Sequence, residues 1–287
     1  LDRPVANDVA WPSQTGHPPR VAMITWIIER EVFADGDGRL IEVARSRGHR
    51  IMYWQEAWRL QDDYTPLTDA VVVFHGSLNI AALIKDKTPW TPGVYCNLNA
   101  FEFAHWSAMC ADVVVNKQWL LTTVRDLVES PEVIFATLGV EDRLFVRPNS
   151  ALKPFSGRVV ERKHLSYRVL DCGLYYDDIY LEVIVAPVVP LGREWRFVVA
   201  KDRVVAGSGY TLGRFSQGTL FSGREWDFAQ TIAERIIPPD DLYVLDVGES
   251  MGSMALVELN PFSGADLYDC HREDVVHAVE QIVARDD

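Results

Sequence analysis

The sequence predicts an α/β amino-terminal part followed by an α+β carboxy-terminal part. Three observations carry this. Between residues 20 and 110 short apolar runs alternate with helically spaced segments, the pattern of a mainly parallel sheet with helices on its faces. Beyond Ser130 the apolar runs follow one another in hairpin order, which suits antiparallel strands. The 287 residues are 48% hydrophobic and include nine tryptophans, enough to build one large core or two medium ones. The division read from this is an arm over 1–19, an α/β part over 20–128 and an α+β part over 129–287.

The elements are expected in order. Residues 20–28 are an apolar run after Pro18-Pro19 and read as a buried strand. Residues 38–47 place Leu40, Val43 and Ala44 at helical spacing and stop at Gly48, a helix-ending residue. Strands follow at 50–54, 70–74 and 93–97, with helices at 80–84 and 101–110. Residues 112–116 are short and apolar, and 117–128 reads as a helix. Strands are expected at 144–147, 167–172, 181–189, 195–200 and 204–210, with Lys201-Asp202 as a tight turn. Residues 225–237 form an amphipathic helix pattern. Residues 243–247 and 254–259 make another hairpin, and 274–284 closes the chain as a helix. Trp54, Trp58 and Trp119 are expected in the core; the alternative is the interface of a homo-oligomer.

Charge and cysteine usage narrow the function. A formal net charge of -13 argues against nucleic acid as a partner. It leaves room for an anionic nucleotide held by a local cluster of cations. No apolar run approaches the ~20 residues that cross a bilayer, so no membrane partner is expected. Residues 1–19 lack a basic-then-apolar layout and do not read as a signal peptide. Cys96, Cys110, Cys172 and Cys270 are scattered, as in a reduced cytoplasmic protein with buried thiols. Cys270-His271 is at most half of a zinc site, with no second half in view.

Four polar clusters interrupt apolar strands in the second half. Val257-Glu258-Leu259-Asn260-Pro261 delivers an acid and an amide, two residues apart, to the end of a strand. Alternation puts Glu258 and Asn260 on one side, and Pro261 ends the ladder. Such oxygens suit a hard cation such as magnesium. In Leu245-Asp246-Val247, hairpin pairing would set Asp246 beside both. Arg147-Pro148, followed by Lys153 and Gly157, is either an anion cradle or a solvated surface loop. Arg196 sits in Glu194-Trp195-Arg196-Phe197-Val198-Val199, where a half-buried charge needs a partner. That partner is either a ligand phosphate or a salt bridge to Glu194 or Glu182. Gly207-Ser208-Gly209-Tyr210, across the turn, leaves room for a ligand near the backbone.

The order R-P-x4-K-x-F-x-G, E-x-R-F-V-V, G-S-x-Y, L-D-V and V-E-L-N-P-x-S-x-x-x-L-Y, over residues 145–268, resembles the ATP-grasp superfamily. It is most similar to the clade named for two arginines and one lysine. The resemblance implies an ATP-grasp fold preceded by a small α/β (pre-ATP-grasp) domain. It implies ATP and Mg2+ as cofactors, with Asp246, Glu258 and Asn260 as metal ligands. Arg147 stands where most of the superfamily places a lysine, a departure shared by the clade; Lys153 and Arg196 match the other phosphate-binding cations. Residues 181–189 fall at the adenine-binding hinge, where Glu182 or a main-chain group reads the base. The implied activity is a carboxylate-amine ligase that forms an amide or peptide bond through an acyl phosphate. Its substrates would be small-molecule or peptide carboxylates and amines. A kinase and an inactive nucleotide-binding module are the alternatives.

The α/β part is expected to shape the acceptor side. His75-Gly76-Ser77 either offers free N–H groups to an anion or is a turn capped by Ser77. The segment from Asn97 to Glu102, with His105, follows the fourth strand, where open sheets bind ligands, although His105 also suits a half-buried helix position. Ser263 and Tyr268 either touch substrate or terminate the strand. Arg214 and Ser216-Gln217-Gly218 lie in a polar loop suited to phosphates or substrate.

Overall fold

The computed structural model describes residues 23–33, 37–60, 71–171, 178–210 and 223–286. The expected arm, Cys172 and the loop with Arg214, Ser216, Gln217 and Gly218 lie outside the described residues. The described chain forms three four-stranded sheets.

The first sheet is parallel, in the order β2-β1-β3-β4. Its strands are β1 (Thr25–Ile28), β2 (Arg50–Tyr53), β3 (Val71–His75) and β4 (Thr91–Gly93). Helices α1 (Gly38–Ser46) and α2 (Leu78–Lys87) connect them. All four residues of β1 are buried, as a run covered on both faces requires. The expected strand over 93–97 is displaced to Thr91–Gly93: Val94 N–H bonds back to Pro92 O at 2.9 Å and turns the chain out of the ladder. The expected helix over 101–110 is broken into a 3-10 turn (Leu98–Phe101), α3 (Phe103–Ser107) and a second 3-10 turn (Ala108–Cys110). Asn149 causes the break, since its O and Oδ1 accept from Phe103 N and Ala104 N.

The second sheet is antiparallel, in the order β5-β8-β6-β7. It comprises β5 (Leu120–Thr123), β6 (Arg143–Pro148), β7 (Arg158–Glu161) and β8 (Glu182–Pro187). Helices α4 (Val124–Glu129), α5 (Pro131–Leu138) and α6 (Tyr167–Asp171) accompany it. Two expectations fail here. The helix over 117–128 is instead β5 followed by α4, because Thr123 Oγ1 accepts from Asp126 N at 3.0 Å and starts the helix there. This also puts β5 and α4, counted above with the α/β part, in the second sheet and its core. The strand over 167–172 is the helix α6, with Val169 N and Leu170 N bonded to Ser166. Its Leu170 is fully buried.

The third sheet is antiparallel, in the order β10-β9-β11-β12. Its strands are β9 (Glu194–Ala200), β10 (Arg203–Tyr210), β11 (Leu242–Ser250) and β12 (Ser253–Pro261). Lys201-Asp202 makes the expected turn, with Lys201 at φ 58. Helix α7 (Arg224–Arg235) covers one face, where Ala229, Ile232 and Ala233 meet Phe197, Tyr243 and Leu245. Helix α8 (Arg272–Asp286) covers part of the other and joins α1 and β1 in one core. Glu280 on α8 accepts from Arg47 at 2.5 and 2.8 Å and contacts His49 Nε2 at 2.9 Å. Trp54 and Trp58 pack against the core of the first sheet, and Trp119 against that of the third. Among the described residues no helix is long and apolar enough to cross a membrane.

Where β1 and β3 end, Gly76 is needed for contact. A Cβ there would lie 2.5 Å from Glu29 Cβ and 2.6 Å from Phe74 Cζ. Gly76→Ala is expected to destabilise by about 1–3 kcal/mol, as overpacking does. Urea unfolding checks it; an unchanged midpoint refutes the tight packing.

Candidate active site

Strand register builds a polar row across the third sheet. Ser208 on β10 stands opposite Arg196 on β9, Arg196 opposite Asp246 on β11, and Asp246 opposite Glu258 on β12. Directly opposed residues share a face, and Asn260, two residues beyond Glu258, shares it too. The register shifts just after Asp246, where Val257 is the extra residue. Such a bulge bends a strand and re-aims its side chains.

The Arg196–Asp246 pair anchors the row. Both are buried, Arg196 to 8% exposure and Asp246 to 1%. The guanidinium meets both carboxylate oxygens, Nε to Oδ1 at 2.8 Å and Nη2 to Oδ2 at 2.7 Å. It also donates to Asp266 O at 2.7 Å and lies under the Tyr268 ring, 4.6 Å from its centre. Asn260 Nδ2 adds a bond to Asp246 Oδ2 at 3.0 Å. The sequence offered Glu194 or Glu182 as the salt-bridge partner. The partner is Asp246, because β9 pairs with β11 and register sets the two face to face. Glu194 is buried at the start of β9.

The second sheet brings two cations to this row. Arg147 on β6 donates through Nη2 to Glu258 Oε1 and lies over Phe103, 5.1 Å from the ring centre. Lys153, in the loop after β6, donates to Glu258 Oε2 at 2.6 Å and to Asn260 Oδ1 at 2.5 Å. That loop returns closely over its own strand: a Cβ on Gly157 would lie 2.7 Å from Phe145 Cζ. Burial alone would raise the Glu258 pKa; Arg147, Lys153 and Arg196 outweigh it and hold the carboxyl at about 2.

The sequence-predicted group Arg147, Lys153, Arg196, Asp246, Glu258 and Asn260 is therefore brought together. Glu182 begins β8, with an exposed side chain whose Oε2 accepts from Asn149 Nδ2 at 3.1 Å. At the other end of β8, Pro187 and Val189 border a cavity of about 580 Å3.

The acceptor-side residues behave differently. At the N-terminus of α2, Ser77 N and Oγ both donate to Glu29 Oε2, at 2.7 and 2.6 Å, so a carboxylate of the chain itself sits there. The Ser77 side chain makes no cap bond to α2. His75 is fully buried between Asp37 Oδ1 (Nδ1, 3.2 Å) and Ala265 O (Nε2, 3.0 Å). Ser263 Oγ accepts from Tyr95 N at 2.9 Å and knits the end of β12 to the first sheet. Asn97 N bonds to Asp240 Oδ2 at 3.2 Å, and His105 is exposed on α3.

Two organising residues escaped sequence reasoning. Asn149 joins α3 to Glu102 and Glu182; its only signal is an amide directly after the strand-ending Pro148. Arg272 is buried and donates to the carbonyls of Leu267, Tyr268 and Cys270, bracing the turn that carries Tyr268. A cation in the first turn of a helix opposes the helix dipole, and that was a usable signal.

The fit to a divalent cation rests on Lys153. Its ammonium bridges Glu258 Oε2 and Asn260 Oδ1, so these oxygens already converge on one positive charge. Both Asp246 oxygens are committed to Arg196. Among the described residues no group of three or more His, Cys, Asp and Glu could hold a metal. Burial pushes the Cys96 and Cys270 thiols up to about 12 and raises that of Cys110, so none is a ready nucleophile at neutral pH.

Two outcomes are expected. Arg196→Met or Asp246→Leu alone leaves a buried charge unpaired and should lower stability by about 3–5 kcal/mol. The double variant should lose clearly less than the sum; additive losses in a double-mutant cycle would refute the pairing. Second, the folded pKa of Glu258 lies below its unfolded value. Its contribution is thus complete above about pH 4.5 and fades as pH falls towards 2. Glu258→Gln should be less stable than the parent at pH 6, with the gap narrowing as pH falls from about 4.5 towards 2; parallel stability-pH curves would refute this.

Comparisons with known proteins identify the fold that carries this geometry. The family model of the ATP-grasp domain from the clade named for two arginines and one lysine, family 2 of that clade, matches residues 124–278. No curated protein sequence matches the chain. Among solved structures, the RimK domain protein ATP-grasp from Sphaerobacter thermophilus is 16% identical, with a TM-score of 0.54 over 91% of this chain and 98% of that one. D-alanine–D-alanine ligase from Bacillus anthracis complexed with ATP is 14% identical, with a TM-score of 0.56 over 92% and 99%. The ATP-grasp ligase PsnB, complexed with a phosphomimetic variant of minimal precursor, Mg and ADP, is 13% identical, with a TM-score of 0.55 over 92% and 99%. These likenesses share the fold, and the family match covers more than half of the chain. The chain belongs to the ATP-grasp superfamily, in the clade named for two arginines and one lysine.

Proposed function

We propose that this chain is an ATP- and magnesium-dependent ligase that joins a carboxylate to an amine through an acyl phosphate. One observation carries the reading: Arg147 and Lys153, from the second sheet and its loop, converge on the acid-amide pair Glu258 and Asn260 at a strand end, beside the Arg196–Asp246 pair of the third sheet. The named neighbours bound to ATP, or to Mg and ADP, support it.

Glu258 and Asn260 would hold the magnesium, with Asp246 behind them keeping Arg196 and the Asn260 amide in place. The bound ion supplies charge neutralisation for the phosphates. Arg147 and Lys153 reach the same spot from the second sheet and steady the phosphoryl oxygens. Phosphoryl transfer depends on such positioning and charge compensation. A substrate carboxylate oxygen attacks the γ-phosphorus, and ADP leaves. The amine nitrogen then attacks the acyl carbon, losing a proton as phosphate departs, and an amide remains. No enzyme nucleophile is required, consistent with the buried thiols. Residues 181–189 border the adenine, through Glu182 or a main-chain group. The acceptor side lies beyond the paired ends of β1 and β3, with the Ser77 position itself taken by Glu29. Open sheets bind ligands at such a switch point.

Incubation with ATP, Mg2+, hydroxylamine and a panel of amino and peptide acids tests the reading. The expected products are a hydroxamate, ADP and phosphate. ADP with a stable phosphorylated product and no hydroxamate would make the chain a kinase; nucleotide binding without turnover would make it a binding module. Glu258→Gln and Asn260→Ala should reduce turnover at least 100-fold, on the order of removing one key electrostatic group, at a temperature where circular dichroism shows them folded.

A further inference from the structure

This inference rests on the assignment of Glu258 and Asn260 to the metal. We propose that Lys153 is a built-in occupant of the cation position. The divalent ion then enters only together with a triphosphate that draws Lys153 away.

The ammonium of Lys153 sits 2.6 Å from Glu258 Oε2 and 2.5 Å from Asn260 Oδ1. Arg147 covers the remaining oxygen of Glu258. A divalent ion needs the oxygens that Lys153 holds, and the two positive charges repel strongly at such range. Bare metal must therefore expel the lysine into water, where it gains nothing equivalent. A triphosphate changes the balance, because it offers Lys153 and Arg147 new anionic acceptors. The charge count points the same way. Arg147, Lys153 and Arg196 pair with two carboxylates, Glu258 and Asp246. Against these bonded cations a bare metal brings only further positive charge, whereas a metal-triphosphate complex brings its own negative charge.

The parts that must stay and the parts that must move are distinct. Arg196 and Asp246 are buried and doubly bonded, so they remain as the frame. The Lys153 side chain is 36% exposed, on the loop between β6 and β7, and can turn outwards. Coupling of this kind is reciprocal: triphosphate tightens metal binding by the factor with which metal tightens triphosphate.

Uptake of Mn2+, standing in for magnesium and read by the electron paramagnetic resonance of the free ion, tests this on the full chain with and without a non-hydrolysable ATP analogue. Once the Mn2+ taken up by the analogue in protein-free controls is subtracted, the parent protein should bind Mn2+ at least tenfold more tightly with the analogue. Lys153→Met should bind Mn2+ alone at least tenfold more tightly than the parent, yet bind the analogue at least tenfold more weakly. Lys153→Gln, which keeps polar character, should change both in the same directions, with thermal melts confirming that each variant is folded. A merely structural lysine would weaken both ligands. Equal Mn2+ affinity of the parent with and without the analogue would overturn the exchange, as would joint weakening in both variants. Glu258→Gln separates the two levels. If it abolishes Mn2+ uptake while the parent binds Mn2+ equally tightly with and without the analogue, the metal assignment stands and the exchange falls. If it leaves uptake unchanged, the metal assignment fails and takes the exchange with it.

Discussion

The structure depends on a set of charges held out of water at the side of the third sheet. Three cations and two carboxylates meet there with one amide. Each ion removed from solvent costs several kcal/mol unless geometry compensates it. Compensation comes from register. A slip of one residue in β9 would turn Arg196 towards α7, into the apolar layer of Phe197, Tyr243 and Leu245. The antiparallel order of β9, β11 and β12 is thus a condition for the chemistry, not only a scaffold for it.

The same ions bind two sheets together. Arg147 belongs to the second sheet and Lys153 to the loop between its strands β6 and β7, while Glu258 and Asn260 belong to the third. Part of the junction is therefore made of charged hydrogen bonds rather than of apolar packing. Ile184, fully buried beside Trp195 and Phe197, supplies an apolar part of the contact.

Much of the site was legible because strand alternation is a strict rule. Glu258 and Asn260 had to share a side, and hairpin pairing had to bring Asp246 near. The motif order then indicated the fold. What was not legible depended on contacts between segments distant in sequence. The partner of Arg196 lies 50 residues away and follows from β9 pairing with β11 over the intervening β10 and α7. The bulge at Val257 leaves no mark in an alternating run. Residues 117–128 carry apolar positions compatible with a helix, and the Thr123 cap decided otherwise. At Tyr167 the aromatic and β-branched content favoured a strand, while Ser166 started a helix. Helix α2 looked ready for an anion, and nothing local announced that Glu29, 48 residues earlier, already fills that place.

The shared core of β1, α1, β9, β11 and α8 has a practical consequence. Ile24, Trp26 and Leu40 shield the same interior as Val198, Val244, Val276 and Val279. A fragment trimmed to the nucleotide-handling half would bare this apolar layer along α8 and clump rather than stay dispersed. Gene-level dissection of this architecture has to retain β1 together with α8, since the first strand is as much a wall of the third sheet as of its own.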